Sequence, residues 1–336
     1  MKNLLYIGNK LSNHGITVTS IETLGLLLEG EGYHLRYASS QKNKLLRLAE
    51  MIFKTLQYAR KTDYVLIDTY STYNFWYAFT ISQLCRLLKL TYIPKLHGGN
   101  LPNRLERNPM LCRMIFKNAY KNIAPSDYLL KAFENRGYAE LVYIPNTIEI
   151  QNYDYKIREK INPKLLWVRS LSSIYNPEMA LKVLLEIKKD FPEASLCMVG
   201  PDKENKLAIL QNLAHNWNLD VTFTGKLSKP EWIRLSANYD IFINTTHFDN
   251  TPVSIIEAMA LGLPVASTNV GGIPFLLEHR KTAMLSEDND VQAMVANIKE
   301  IIQNKELTKL IVEDAAKLVQ NFDWNLVRGK WNEILI

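Results

Sequence analysis

The stretch Asp249-Asn250-Thr251-Pro252-Val253-Ser254-Ile255-Ile256-Glu257-Ala258-Met259-Ala260-Leu261-Gly262-Leu263-Pro264-Val265-Ala266 reads as a polar loop, a helix, a glycine stop and a buried strand. Pro252 opens the helix at a position that needs no amide donor, and Gly262 ends it. Asp249 lies in the loop and Glu257 about one and a half turns inside the helix, so two carboxylates straddle the helix start. Free amides of Val253 and Ser254 at that start favour an anion, phosphate above all. The next strand runs into Val270-Gly271-Gly272-Ile273-Pro274, where residues without side chains let a ligand approach the backbone closely. By itself the pattern also fits a solvated glutamate and an ordinary turn, because carboxylates near helix starts are common.

Working outward, the same alternation runs through the whole chain. Leu4 to Ile7, Tyr33 to Ala38, Tyr64 to Asp68 and Tyr92 to Leu96 read as strands, separated by helices over Ile16 to Leu28, residues 42–61 and Phe75 to Leu88. A second series places strands at Leu165 to Val168, Ser195 to Val199, Val221 to Phe223, Asp240 to Asn244 and Pro264 to Ser267. Helices are expected at Pro177 to Asp190, Lys203 to Trp217, 230–238 and 252–261. Between the two series, residues 145–164 are polar, hold Pro145 and Pro163 and lack periodicity, which suits a linker. Strands alternating with helices imply parallel sheets covered on both faces, with ligands beyond the carboxyl ends of the strands.

Composition bounds the class. The chain has 336 residues, 47% apolar and 22% charged, which excludes a disordered or collagen-like protein and predicts about two domains. Cys85, Cys112 and Cys197 show neither a disulfide framework nor zinc-ligand spacing, so a reducing cytosol is expected. Neither a signal-peptide order nor an apolar run of about 18 residues is seen. The net charge of +6 is uneven: residues 1–150 carry 19 Lys and Arg against 11 Asp and Glu, whereas residues 151–336 carry 21 against 23. A basic first half predicts a polyanionic partner there.

Two acids separated by seven residues, followed by Ala258-Met259-Ala260 and Leu263-Pro264-Val265, resemble the signature of the retaining GT-B glycosyltransferases of family 4, the group 1 glycosyl transferases. The resemblance implies an α/β GT-B fold with two Rossmann-like domains facing a central cleft. It implies an N-terminal acceptor domain over 1–150, a nucleotide-sugar domain over 151–320, and a C-terminal helix in 321–336, at Phe322-Asp323-Trp324, that crosses back to the first. The implied roles are ribose binding for Glu257 and donor-sugar hydroxyls for Asp249, with Asn250, Thr251, Val253 and Ser254 around the donor. Arg169, two residues beyond Trp167, matches the diphosphate arginine, and His97, before Gly98, the histidine near the reacting centre. Gly225, in Val221-Thr222-Phe223-Thr224-Gly225, closes the strand that meets the base. Gly15 sits in the loop near the donor phosphate.

Three departures stand out. The first acid is Asp249, one methylene shorter than the commoner Glu; His14-Gly15 replaces paired glycines; and Tyr175 occupies the position of the usual diphosphate lysine. Lys226 is the candidate substitute, and the Tyr175 hydroxyl can still donate. Arg169 with the amides at 253 and 254 suffices to stabilise a departing diphosphate, so catalysis without metal or other cofactor is expected. The expected partners are a nucleotide sugar and a saccharide or lipid-linked acceptor in surface polysaccharide or glycolipid synthesis.

The basic residues Lys42, Lys44, Arg47, Lys54, Arg60 and Lys61, and a second group from Arg104 to Lys121, are interleaved with apolar ones. They predict either solvated helix faces or a peripheral contact with an anionic membrane at the cytoplasmic side. Nucleic acid is not expected, in the absence of a zinc finger or RNP-like motif. The alternatives are a nucleotide-sugar epimerase of the same fold and a catalytically weakened GT-B partner subunit.

Overall fold

The computed structural model describes residues 2–14 and 18–336, so the predicted site residue Gly15 lies outside the described residues. The chain divides into two compact units, Met1–Thr147 with Trp324–Ile336, and Ile148–Asp323.

The first unit is built on a six-stranded parallel sheet of β1 (Asn3–Ile7), β2 (His34–Ala38), β3 (Tyr64–Thr69), β4 (Tyr92–Leu96), β5 (Asn122–Ala124) and β6 (Leu141–Tyr143), in the order β2-β1-β3-β4-β5-β6. Its strands read as nearly continuous apolar runs because both faces are buried. Leu4, Tyr6, Leu66 and Ile93 pack on one face against the helix Ser20–Gly30. Leu5, Ile7, Val65 and Ile67 pack on the other against helices Lys44–Tyr58 and Phe75–Leu87. The last helix, Trp324–Ile334, joins this unit by burying Trp324, Val327, Trp331 and Ile334, one stripe at helical spacing.

The second unit carries β7 (Lys164–Val168), β8 (Ser195–Val199), β9 (Val221–Gly225), β10 (Ile241–Asn244), β11 (Val265–Thr268) and β12 (Met284–Ser286), in the order β12-β11-β10-β7-β8-β9, again all parallel. The chain runs outward from β7 to β9 and then restarts on the far side of β7 with β10, so the strand order reverses between β7 and β10. In the first unit the reversal lies between β1 and β3. Such switch points leave a crevice at the carboxyl ends.

Several expected boundaries move for local reasons. The first helix starts at Ser20 rather than Ile16, set by a capping box of Thr19 and Glu22. The helix expected from Lys203 begins at Leu207, because the Asp202 carboxylate accepts the amides of Glu204, Lys206 and Leu207 at 3.3, 2.9 and 3.0 Å and holds a turn there. Part of the expected linker is ordered in the second unit: Ile150–Asn152 is a 3-10 turn and Tyr153 is buried.

Candidate functional site

β7 and β10 are hydrogen-bonded neighbours at the switch point, which brings the loops that follow them together. Arg169 follows β7 and Asp249 lies in the loop after β10; Arg169 Nη2 stands 2.9 Å from Asp249 Oδ2, with side chains only 14% and 19% exposed. Arg169 Nε and Nη2 are buried and find no hydrogen-bond acceptor of good geometry among the described residues, so the pair is a charge contact rather than a directed bond. The guanidinium lies 5.2 Å from the ring centroid of Tyr175. Burial raises the Tyr175 phenol, the Arg169 charge opposes that rise, and Asp249 adds to it. Where the resemblance expects a lysine, this chain therefore sets a neutral aromatic face against the arginine.

The helix Val253–Ala260 has Pro252 as its cap rather than its first residue, which leaves Val253 and Ser254 as the first two helical residues with no intrahelical acceptor for their amides. Ser254 is buried and its Oγ has no partner among the described residues. Asn250 and Thr251 are buried in the preceding loop, and the Asn250 amide donates to Asp249 Oδ1 at 2.7 Å. Gly271 and Gly272 serve this loop. A Cβ on Gly271 would stand 2.3 Å from the Asp249 carbonyl oxygen, and one on Gly272 2.0 Å from that of Asn250. The close approach expected of a ligand is here made by the protein's own backbone, tied by the Gly272 amide to the Asp249 carbonyl at 2.9 Å.

Glu257 is buried on this helix. Its Oε1 accepts the Tyr153 hydroxyl at 2.7 Å and lies 2.6 Å from Lys229 Nζ. Burial, and then the Glu257 charge, push the Tyr153 phenol far up, so it stays a donor. Lys229, at the start of helix Lys229–Ser236, is about half exposed, at 49%. At the end of β9 Gly225 has φ +70, and a Cβ there would meet nothing; the glycine is needed for its backbone angle. Its carbonyl accepts the Gly200 amide at 2.8 Å. Lys226 is exposed, and its charge adds to burial in lowering the Lys203 ammonium.

His97 sits in the first unit, just past β4, with its amide on the Thr69 carbonyl at 2.7 Å. Side chains alternate along parallel strands, so Tyr6, Asp68, Lys95 and His97 all fall on the face covered by helix Ser20–Gly30, and the register sets Asp68 opposite Lys95. His97 Nε2 is 2.7 Å from Asp68 Oδ1, which also accepts the Tyr6 hydroxyl at 3.1 Å. Tyr6 Oη is 3.3 Å from Ser20 Oγ, which Lys95 Nζ reaches at 2.5 Å. Tyr70 stacks on the imidazole, ring centroids 4.8 Å apart. Burial lowers His97, against the Asp68 charge, and Lys95 lowers it further; burial also brings the Lys95 ammonium down to about 8.

The structure thus gathers Arg169, Asp249 and Tyr175 in one place and seats Glu257 with Tyr153 and Lys229 in the same unit. Sequence reading missed Tyr153 and Lys229, and Asp68, Lys95 and Ser20 around His97. A lysine inside the apolar run Tyr92-Ile93-Pro94-Lys95-Leu96 was the available signal for the last group. Among the described residues, no three His, Cys, Asp or Glu side chains converge as a metal site.

Comparison with known proteins agrees with this plan. Residues 152–318 match the family model described as glycosyl transferases group 1. The chain is 26% identical over 158 residues to sulfoquinovosyl transferase SQD2 of Arabidopsis thaliana, covering 46% of this chain and 30% of that protein. It is 27% identical over 194 residues to an uncharacterized glycosyltransferase of Haemophilus influenzae, covering 57% and 53%. The matched stretches thus span about half or less of these relatives. The crystal structure of Anabaena Alr3699/HepE in complex with UDP and glucose superposes with a TM-score of 0.79 at 18% identity, covering 100% of this chain and 99% of that one. The fold is GT-B, with two Rossmann-like units.

Proposed function

The chain belongs, through residues 152–318, to the glycosyl transferases group 1 family, and from that premise we propose that it is a retaining transferase that moves a hexosyl group from a nucleoside-diphosphate sugar to a saccharide or lipid-linked saccharide. In that reaction the bond from the sugar's anomeric carbon to the diphosphate breaks, a bond from the same carbon to an acceptor oxygen forms, and the acceptor proton leaves with the phosphate product. The observation that carries the reading is Arg169. Its buried Nε and Nη2 find no hydrogen-bond acceptor of good geometry among the described residues, and a diphosphate oxygen supplies one. The amides of Val253 and Ser254, with the unpartnered Ser254 hydroxyl, add donors at a helix start. Asp249, released from Arg169 as the diphosphate takes its place, is then free to accept sugar hydroxyls. Glu257, already held by Tyr153, accepts the ribose hydroxyls. The relative solved with UDP and glucose supports a uridine donor as the first to try. Metal independence follows from the same donors: EDTA should leave transfer intact, and activity lost in EDTA and regained with Mg²⁺ would contradict it.

The first unit takes the acceptor in this reading, and its surface favours an anionic membrane face. Helix Lys44–Tyr58 leaves Leu45 and Phe53 72% and 62% exposed, with Lys42, Lys44, Arg60 and Lys61 nearby in sequence. Arg47 does not belong to that surface: it is buried, donating to Gln41 O, Lys42 O and Asn9 Oδ1 at 2.8, 3.0 and 3.0 Å. No helix among the described residues is long and apolar enough to cross a membrane. The transfer reading is tested by mixing UDP-, GDP- and ADP-sugars with free and lipid-linked saccharides; product with none of them rejects it. Flotation with anionic liposomes tests the surface, and no binding at low salt removes it.

A further inference from the structure

We propose that Asp68 and Lys95 are positioning residues that hold His97 as the neutral tautomer protonated at Nε2, leaving Nδ1 as a lone-pair acceptor for a sugar hydroxyl. The sugar rests on the glycosyl-transfer reading above; the tautomer does not. A carboxylate at Asp68 only accepts, so the 2.7 Å contact requires the proton on His97 Nε2. Tyr70 fixes the ring plane. No hydrogen bond to Nδ1 is formed among the described residues.

The rest of the cluster explains why the ring stays neutral. A chain of donors runs from Lys95 Nζ to Ser20 Oγ, from Ser20 to the Tyr6 hydroxyl, and from Tyr6 to Asp68 Oδ1, the atom that also receives His97. Asp68, Lys95 and Tyr6 are all buried. Among the described residues, the titratable groups facing His97 are Asp68 and Tyr70 from β3 and its loop, Lys95 from β4 and Tyr6 from β1; burial raises both phenols, so the charges that act on the ring are those of Asp68 and Lys95. One buried carboxylate cannot serve two cations equally, and Lys95 holds the claim through the chain. Burial of a lysine opposite Asp68 is costly by itself, which argues for a role other than stability.

The test is nitrogen-15 NMR of the full chain labelled at histidine, with the His97 ring assigned by its loss in His97→Gln. The expected wild-type pattern is a protonated Nε2 and a bare Nδ1 at and above neutral pH; protonation at Nδ1 instead overturns the proposal without any variant. In Lys95→Met the proton affinity of His97 should rise, and the acid limb of the transfer rate should move up with it while nucleotide affinity stays put. An unchanged His97 titration in Lys95→Met contradicts the proposal. If Lys95→Met does not fold, Ser20→Ala interrupts the chain with both charges kept, and there a His97 titration unmoved from wild type also counts against it. A correct tautomer in a protein that transfers no sugar supports the positioning and rejects the function, so the two fail separately.

Discussion

The two switch points of this chain are built in opposite ways. In the first unit, Lys95, Ser20, Tyr6 and His97 form a set of donors that converges on Asp68 Oδ1, and the atom left over is an acceptor, the buried Asp68 Oδ2, which has no partner among the described residues. In the second, two pairs of opposite charge, Arg169 with Asp249 and Lys229 with Glu257, lie where a charged ligand is proposed to bind, and donors on Arg169 and Ser254 have no hydrogen-bond acceptor among the described residues. The His97 cluster is preorganised, and what it leaves without a partner among the described residues is acceptors, His97 Nδ1 and Asp68 Oδ2. The open one holds its charges against each other, and the proposed ligand would exchange with them. A site that stabilises a departing diphosphate needs donors in place before it arrives, and self-paired charges keep them ordered at little cost in solvent reorganisation.

The largest break in this comparison comes from Arg169. Arg169→Met should lower kcat by about 100- to 1,000-fold, the range for removing a group that stabilises developing charge. Arg169→Lys should recover only part, because an ammonium lacks the fork. Initial rates check this, and a loss under tenfold would place the diphosphate elsewhere. Next comes Tyr175, for which the ring face rather than the hydroxyl is expected to matter. Tyr175→Ala should weaken nucleotide binding by about 1–2 kcal/mol and Tyr175→Phe by less than about 0.5 kcal/mol, measured by calorimetry. A large effect of the Phe variant would assign the work to the hydroxyl.

The His97 cluster predicts a pH effect of definite sign. His97 is lowered in the folded chain, so its contribution to stability is present above the unfolded value of about 6.5 and is lost as pH falls below it. Wild-type stability in urea should therefore fall more steeply from pH 6.5 to 5 than that of His97→Gln; parallel curves would break the account of the first unit. The smallest effect is expected at Lys229. Its ammonium is half exposed beside the buried Glu257, and removing it should change nucleotide affinity by less than about threefold at physiological salt. A larger fall would make Lys229 a ligand of the nucleotide rather than a keeper of Glu257.

Much of this was readable in the residues. Periodicity found β4 and β8 with their ends at Leu96 and Val199, because buried parallel strands are apolar runs bounded by turn residues. The spacing of Asp249 and Glu257 placed both on one loop and helix. Strands of three residues, such as Asn122–Ala124 and Met284–Ser286, are too short to show a period. Tyr153 lies 104 positions from Glu257, and no local pattern announces such a contact. Gly271-Gly272 misled in a different way: the pair does mark a close approach, but the neighbour is the loop of Asp249 and Asn250.

The central claim is that the second unit holds a nucleoside diphosphate through Arg169 and Glu257, and titrating UDP into wild type and Glu257→Ala by calorimetry tests it most directly, with GDP and ADP as the alternatives. One of the three should bind the wild type, and the loss of hydrogen bonds to a charged acceptor should weaken that binding by about tenfold or more in the variant. No binding of any nucleoside diphosphate to the folded wild type, or equal affinity in Glu257→Ala, would contradict it.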